Sequence, residues 1–242
     1  MSLFVIGDLH LSTLESTNKS MEVFGRRWYD YTSKIEKNWR AVVDDDDTVI
    51  IPGDISWSLT LEEAESDLKF IDSLPGKKIF LKGNHDFWWA TLSKINAFFE
   101  KNGISTISVL QNNAYIVEDF ILCGTRGWYQ DEANDKSKMD NDYEKIVARE
   151  AIRLRMSLDE AKKLKEEAPD KEIIAFMHFP PYWNGFECRE FIDILKEYEI
   201  KRCYFGHIHG NYTAPAFVEY EGIELILISA DYIDFVPRLI LP

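Results

Sequence analysis

Five short apolar runs, rich in β-branched and aromatic residues, punctuate the chain, and each gives way to a glycine, proline or polar residue. Residues 3–6 run into Gly7-Asp8, residues 48–51 into Pro52-Gly53-Asp54, and residues 78–81 into Lys82-Gly83-Asn84-His85-Asp86. Residues 173–177 run into His178, and residues 202–205 into Gly206-His207-Ile208-His209. Runs this short and this continuously apolar fit strands covered on both faces.

Helical patterns lie between them. Residues 29–43 place Ile35, Trp39, Val42 and Val43 at roughly helical spacing. Residues 61–74 do the same with Leu61, Ala64, Leu68 and Ile71, before Pro75-Gly76 ends the pattern. Residues 91–101 and 188–198 look alike. Strands alternating with helices predict an α/β fold with a largely parallel arrangement.

Two regions break that rhythm. Residues 104–122 read as two strands around a polar Gln111-Asn112-Asn113 turn. Beyond Pro215, residues 217–220, 224–228 and 238–241 read as strands, with Glu221-Gly222 as a tight turn. These predict an antiparallel portion or a second sheet. Residues 130–171 form a charged insert in an otherwise single domain spanning 1–242. Within it, residues 143–167 read as one or two helices, and the Ser157–Glu160 spacing matches a capping box. The insert either packs on the sheet or caps the site.

A 45% hydrophobic content supports a sizeable core, and the formal charge of -14 repels long polyanions and anionic membranes. That balance still admits a small phosphorylated substrate, because bound divalent cations invert the local field. Cys123, Cys188 and Cys203 are widely spaced and odd in number, which argues against a disulfide framework. Without a signal-peptide pattern or a run of ~20 apolar residues, the expectation is a soluble cytoplasmic protein.

The histidines carry the chemistry. His10, His85, His178, His207 and His209 all fall at, or a few residues beyond, the C-terminal end of a predicted strand. That rim is where open α/β sheets bind ligands. Any one of them alone reads as a hydrogen-bonded structural imidazole; five on one rim do not. Asp8 accompanies His10, Asp54 follows Gly53, and Asn84 precedes His85. In extended backbone, residues two apart face the same way, so Asp8 with His10, and His207 with His209, can each grip one ion. Mixed imidazole and oxygen donors suit Mn, Fe, Co, Ni or Zn better than Ca or Mg.

The ordered set Asp8-x-His10, Gly53-Asp54, Gly83-Asn84-His85-Asp86, His178 and Gly206-His207-x-His209 resembles the calcineurin-like metallophosphoesterase family. The resemblance spans most of the chain. It implies a four-layer α/β/β/α sandwich of two mixed β-sheets flanked by helices. It implies two divalent metal ions, one held by Asp8, His10 and His209, the other by Asn84, His178 and His207, with Asp54 bridging. Two such cations ~4 Å apart clamp a phosphoryl group and share a water whose pKa falls toward neutrality, so that hydroxide attacks phosphorus in line.

His85, not needed as a ligand, is then the candidate partner of the leaving oxygen, and Asp86 resembles the residue that orients that imidazole. Asp86 also reads as an N-cap for a helix over residues 87–99. Departures after Gly53-Asp54, where Ile55-Ser56-Trp57 stands, and at Asp86 argue against the protein-phosphatase branch. The Gly-Asp-Ile-Ser-Trp and Gly-Asn-His-Asp-x-Trp-Trp stretches resemble bacterial predicted phosphohydrolases of unassigned substrate. Arg126, between Gly124 and Gly127, reads either as a phosphate contact or as a surface salt bridge. Trp57, Phe87, Trp88, Trp89, Trp128, Tyr182 and Trp183 read as a stacking wall or as packing beneath loops. The expected activity is hydrolysis of a small-molecule phosphate mono- or diester, a nucleotide included. A metal-dependent nuclease is the alternative, disfavoured by the absence of a basic stripe, and a non-catalytic scaffold on the same fold is a third.

Overall fold

The computed structural model describes residues 1–13, 20–128 and 143–242. Its first sheet contains β1 (Leu3–Val5), β2 (Thr48–Pro52), β3 (Lys77–Leu81) and β4 (Ile107–Val109), with β13 (Arg238–Ile240) outside β1. The second contains β5 (Tyr115–Val117), β6 (Phe120–Thr125), β7 (Glu172–Met177), β10 (Arg202–Phe205), β11 (Val218–Tyr220) and β12 (Ile223–Leu227). Their orders are β13-β1-β2-β3-β4 and β11-β12-β10-β7-β6-β5. A small hairpin, β8 (Tyr182–Trp183) with β9 (Phe186–Glu187), stands apart. Helices α1 (Tyr31–Val42), α2 (Leu61–Asp72), α3 (Leu92–Asn102), α4 (Tyr143–Glu167) and α5 (Arg189–Glu197) fill the connections.

Strand alternation builds the layers. Leu3, Val5, Ile50, Ile79 and Leu81 point one way, into a core shared with Phe120, Leu122, Ile174, Phe176, Tyr204 and Ile226 of the other sheet. The intervening residues Phe4, Val49, Ile51 and Phe80 point outward, onto Ile35 and Trp39 of α1, Leu68 and Ile71 of α2, and Ile95 and Phe99 of α3. On the far side, Cys123, Ala175, Met177, Cys203 and Phe205 meet Val147, Leu154 and Leu158 of α4 and Phe191 and Leu195 of α5. The chain is therefore a four-layer α/β/β/α sandwich. Each fully buried aliphatic or aromatic side chain contributes ~1.5–3 kcal/mol, so three cores in register hold the strand ends firmly. Among the described residues, no helix is long and apolar enough to cross a membrane.

The turn at Gln111-Asn112-Asn113 does not join a hairpin. β4 pairs with β3 in the first sheet, whereas β5 pairs antiparallel with β6 in the second. The chain crosses between sheets here, and the second strand expected in this stretch is in fact two, β5 and β6. Periodicity reports burial, and both sheets bury these residues alike. The other late strands follow expectation: β11 and β12 form a hairpin through Glu221-Gly222, both at positive φ, and β13 runs antiparallel to β1.

Residues 130–142 of the charged insert lie outside the described residues. Its remainder is one uninterrupted helix, α4, packed on the outer face of the second sheet against β6 and α5. The capping box expected at Ser157–Glu160 is absent, because Ser157 sits fully buried inside the helix. Its hydroxyl donates to Asn113 O at 2.7 Å and accepts from Gly124 N at 2.9 Å, pinning α4 to the crossover and to β6. A true N-cap stands at Thr60, whose hydroxyl accepts from Glu63 N at the start of α2.

Candidate metal centre

The C-terminal ends of β1, β2, β3, β7, β10 and β12 come together where the two sheets meet. Gly7, just past β1, donates to Ile228 O at 2.9 Å and accepts from Ala230 N at 2.9 Å, stitching the first sheet to the second. The loops after β1 and β2 then run side by side. Asp8 N donates to Gly53 O, His10 N to Asp54 O and Leu11 N to Ile55 O, at 2.9–3.0 Å. Gly206 N donates to His178 O, which ties the loops after β7 and β10 in the same way.

Four of the expected ligands hold left-handed backbone: Asp8 (φ 58°), His10 (φ 46°), Asp54 (φ 52°) and His207 (φ 70°). Such conformations cost of order 1–3 kcal/mol each outside glycine and gather at functional sites. They turn each side chain inward from a sharp bend, so these segments are not extended as the two-apart spacing expected: Asp8 and His10 do meet in one donor set, but His207 and His209 part into different ones. Glycines permit the crowding: a Cβ on Gly83 would fall onto Asp54, and one on Gly206 onto the Asp8 carboxylate.

Two sets of donor atoms result. Asp8, His10 and His209 bring one ligand atom each to within 4.8 Å of one another, and Asp54, His178 and His207 do likewise. Asp54 Oδ2 lies 3.5 Å from His10 Nε2 in the first set and 3.5 Å from His178 Nε2 in the second. Its other oxygen accepts from His85 N at 2.8 Å. Asn84 Oδ1 joins the second set, 2.6 Å from His178 Nε2 and 3.1 Å from His207 Nδ1.

Hydrogen bonds behind the rings decide where their protons sit. His209 Nδ1 donates to Asp231 Oδ1 at 2.8 Å, and His178 Nδ1 donates to Pro52 O at 3.2 Å. His209 Nε2 is thereby the nitrogen that faces inward, in a hydrogen bond of 3.1 Å with His10 Nε2. Likewise His178 Nε2 faces Asn84 Oδ1, acceptor against acceptor. Burial lowers the His10 and His178 pKa values well below the ordinary histidine range, so both rings are neutral. Burial, opposed by His209 and reinforced by Asp54, pushes Asp8 up to about 7. Asp54 rises to about 6, again through burial. His209 goes the other way: although burial opposes it, the Asp231 hydrogen bond and the Asp8 and Asp231 charges raise its pKa above the ordinary histidine value. Two neutral imidazoles, a third whose inward proton a metal would displace, and two buried carboxylates make a donor set that fits divalent cations.

His85 stands beside both sets without belonging to either. Its ring centroid is 5.6 Å from that of His10 and 4.3 Å from that of Trp57. The expected helix over residues 87–99 starts later, at Leu92, with Thr91 as its N-cap, so Asp86 does not cap it. Instead the buried Asp86 carboxylate accepts from Gly83 N, Asp54 N, Ile55 N and Ser56 N at 2.8–3.2 Å, and from Trp88 Nε1 at 3.0 Å. Burial and the Asp54 charge push its pKa upward, against those backbone donors. Its bonds bind two loops together, which makes it a positioning residue.

Arg126 forms an ion pair with Glu150 at 3.4 Å, as one of its two sequence readings expected, but a largely buried one: its side chain is 16% exposed and Glu150 only 1%. Most of the aromatic set packs rather than lines a wall. Trp57 stacks on His10 at 5.0 Å, Trp88 and Trp183 are buried, Trp128 packs on Phe179, and Tyr182 stacks on Tyr220. Two are exceptions: Phe87 is 59% exposed and 6.2 Å from the His85 ring, and the half-buried Trp89, whose Nε1 donates to Gln111 Oε1 at 3.1 Å, lines a cavity at the strand rim.

Sequence reasoning missed two residues. Asp231 follows β12 as Asp8 follows β1, a signal visible in the run Leu227-Ile228-Ser229-Ala230-Asp231. Trp28, buried edge-on to both His10 and His209, lies in a stretch with no strand before it and gave no signal.

The family described as Calcineurin-like phosphoesterase (Metallophos) matches residues 1–211. No curated protein matches the chain. Among solved structures, the phosphopantetheinyl hydrolase of Mycobacterium tuberculosis aligns at 14% identity and a TM-score of 0.56, covering 100% of this chain and 96% of that one. The protein TT1561 of Thermus thermophilus aligns at 10% identity and a TM-score of 0.55, covering 95% and 89%. A protein of unknown function from Aquifex aeolicus aligns at 18% identity and a TM-score of 0.44, covering 98% and 95%. At these identities the structural likeness concerns the fold.

Proposed function

Since the chain belongs to the calcineurin-like phosphoesterase family, and is thereby a hydrolase of phosphate ester bonds, we propose that it works through two divalent cations on a small-molecule mono- or diester, a nucleotide being one candidate class. One observation carries the reading: Asp54 Oδ2 stands 3.5 Å from a histidine of each donor set. A carboxylate so placed can bridge. Asp8, His10 and His209 would hold one ion, and Asn84, His178 and His207 the other. The cations supply Lewis acidity and bring the pKa of bound water down toward ~7.

The chain's own groups do the rest. Asp231 fixes the His209 tautomer so that Nε2 faces inward, and Pro52 O does the same for His178. Asp86 keeps the Asp54 and His85 loops in register. His85, anchored through its backbone to Asp54, hands a proton to the leaving oxygen or stabilises its charge. Trp57 and Trp28 cover the His10 ring and keep water from that side. The donor types suit Mn, Fe, Co, Ni or Zn, and manganese is the first to try. Three free, buried cysteines support a cytoplasmic setting.

Elemental analysis of the purified protein, paired with a metal-supplemented screen of aryl phosphate mono- and diesters, tests this function. Two bound metals and metal-dependent release of the phenol are expected. Cleavage of single- or double-stranded DNA with Mn²⁺, and no ester turnover, would favour a nuclease. Bound metal without any hydrolysis would favour a scaffold.

A further inference from the structure

A cavity opens at the same strand rim, between the ends of β3 and β6. It has a volume of about 470 Å³, and its walls include Lys82, Lys94, Arg126 and Arg153. Glu150 is the one acidic residue in its described lining. Four cations against one carboxylate is an unusual local balance in a chain whose formal charge is -14.

Glu150 is already committed. Fully buried, it accepts from Thr125 Oγ1 at 2.8 Å and pairs with Arg153 at 3.1 Å, Arg126 at 3.4 Å and Arg149 at 3.8 Å. Among the described residues, one carboxylate shared among three guanidinium groups leaves positive charge uncompensated. Among the described residues, Arg126 Nε is buried with no hydrogen-bond partner. A buried guanidinium donor without an acceptor is costly, and an oxyanion beside it would remove the cost.

The cavity is continuous in backbone with the metal centre. Lys82 directly precedes Gly83-Asn84, and Arg126 O accepts from Phe179 N, the residue after His178, at 2.9 Å. Arg126 is also near enough for its charge to act on Asp54 and His178, which makes this cavity the neighbouring basic surface for a ligand held at the centre by its scissile phosphate.

We propose that the cavity binds a second phosphate-class anion of the substrate, so that the preferred substrate is a phosphate ester whose alcohol portion carries another phosphate. The assignment rests on the phosphoesterase reading above. Arg126 then contacts the distant anion rather than the phosphate being cleaved, with Lys82, Lys94 and Arg153 around it. Glu150 holds the arginines in place and limits the cavity to one such group.

The test compares a short alkanediol bisphosphate with the matching monophosphate, using the full chain supplied with Mn²⁺ and following phosphate release. The wild-type protein is expected to favour the bisphosphate on the order of tenfold in kcat/KM, through KM, as two charge-assisted contacts would give. The Lys82→Ala/Lys94→Ala variant should lose most of that preference. Lys94→Glu, at an exposed position early in α3, should shift the ratio the same way and serves if the double variant misfolds. Equal turnover of the two esters by the wild type, or a preference untouched in the variants, overturns the second-anion site while leaving the phosphoesterase reading intact. Failure to hydrolyse either ester while aryl phosphate mono- or diesters are cleaved overturns the second-anion site alone, and failure on all of them overturns both.

Discussion

The Asp231 carboxylate accepts from His209 Nδ1 at 2.8 Å, and its second oxygen accepts from Gly210 N at 3.0 Å. Asp231 therefore sets both the tautomer and the angle of a ring that faces His10 and Asp8. Partners of this kind are worth ~10–100-fold in metal affinity when removed. Asp231→Ala should weaken binding at that position by this amount, read by titration against a fluorescent chelator. Unchanged affinity would detach Asp231 from the centre.

His85 lies outside both donor sets, so its loss should separate binding from chemistry. His85→Asn is expected to retain two metals per chain while turnover of an aryl phosphate falls by ~10²-fold or more. Metal content measured beside kcat decides the matter. Loss of an ion would make His85 a ligand instead.

Asp86 satisfies four backbone N–H groups and one indole in a place without water. Replacing one of its oxygens by an amide sets donor against donor. Asp86→Asn should destabilise the fold by ~2–3 kcal/mol or more, seen as a lower urea midpoint with an unchanged slope. An exposed neighbour such as Phe87 gives the contrast, since Phe87→Ala should cost little. Equal midpoints for the two variants would contradict the positioning role.

Without metal, the centre should respond to pH in an uncommon direction. Burial places Asp8 at about 7, whereas a carboxylate in an unfolded chain titrates near ~4. The native state thus binds more protons than the unfolded chain, and stability is lost as pH rises through the folded value. His10 and His178, lowered by burial, give the opposite slope below the ordinary histidine pKa, so the clean window lies above ~6.5. Chelator-treated protein should melt at a lower temperature at pH 8 than at pH 6.5. Added Mn²⁺ should shrink or reverse the difference. A metal-free protein that grows more stable across this interval would refute the buried-carboxylate account.

The strand ends were legible because each is marked twice, by an apolar run that stops and by a glycine or polar residue that begins a bend. β10, read as residues 202–205, is Arg202–Phe205 in the structure. The histidine rim followed from the same marks. Sheet membership did not, since Tyr115 and Val109 sit either side of one turn yet belong to different sheets. Ser157 misled for a related reason: a serine followed three residues on by a glutamate caps a helix only where the backbone starts one. Here it bonds across to Asn113 and Gly124. Asp231 escaped notice because attention to histidine leaves aside the carboxylates that steer it.

Several contacts around the centre join opposite ends of the numbering. Leu3 pairs with Ile240, Gly7 is stitched to Ile228 and Ala230, and Asp231 braces His209. On a ribosome, β1 is made long before β13 and must wait for all the intervening strands and helices before its neighbour on that side exists. Contacts so far apart in the chain make closure a late event in folding. The cations would then be acquired after synthesis of this region, by an already assembled pocket, rather than serving as a template around which the nascent chain collapses.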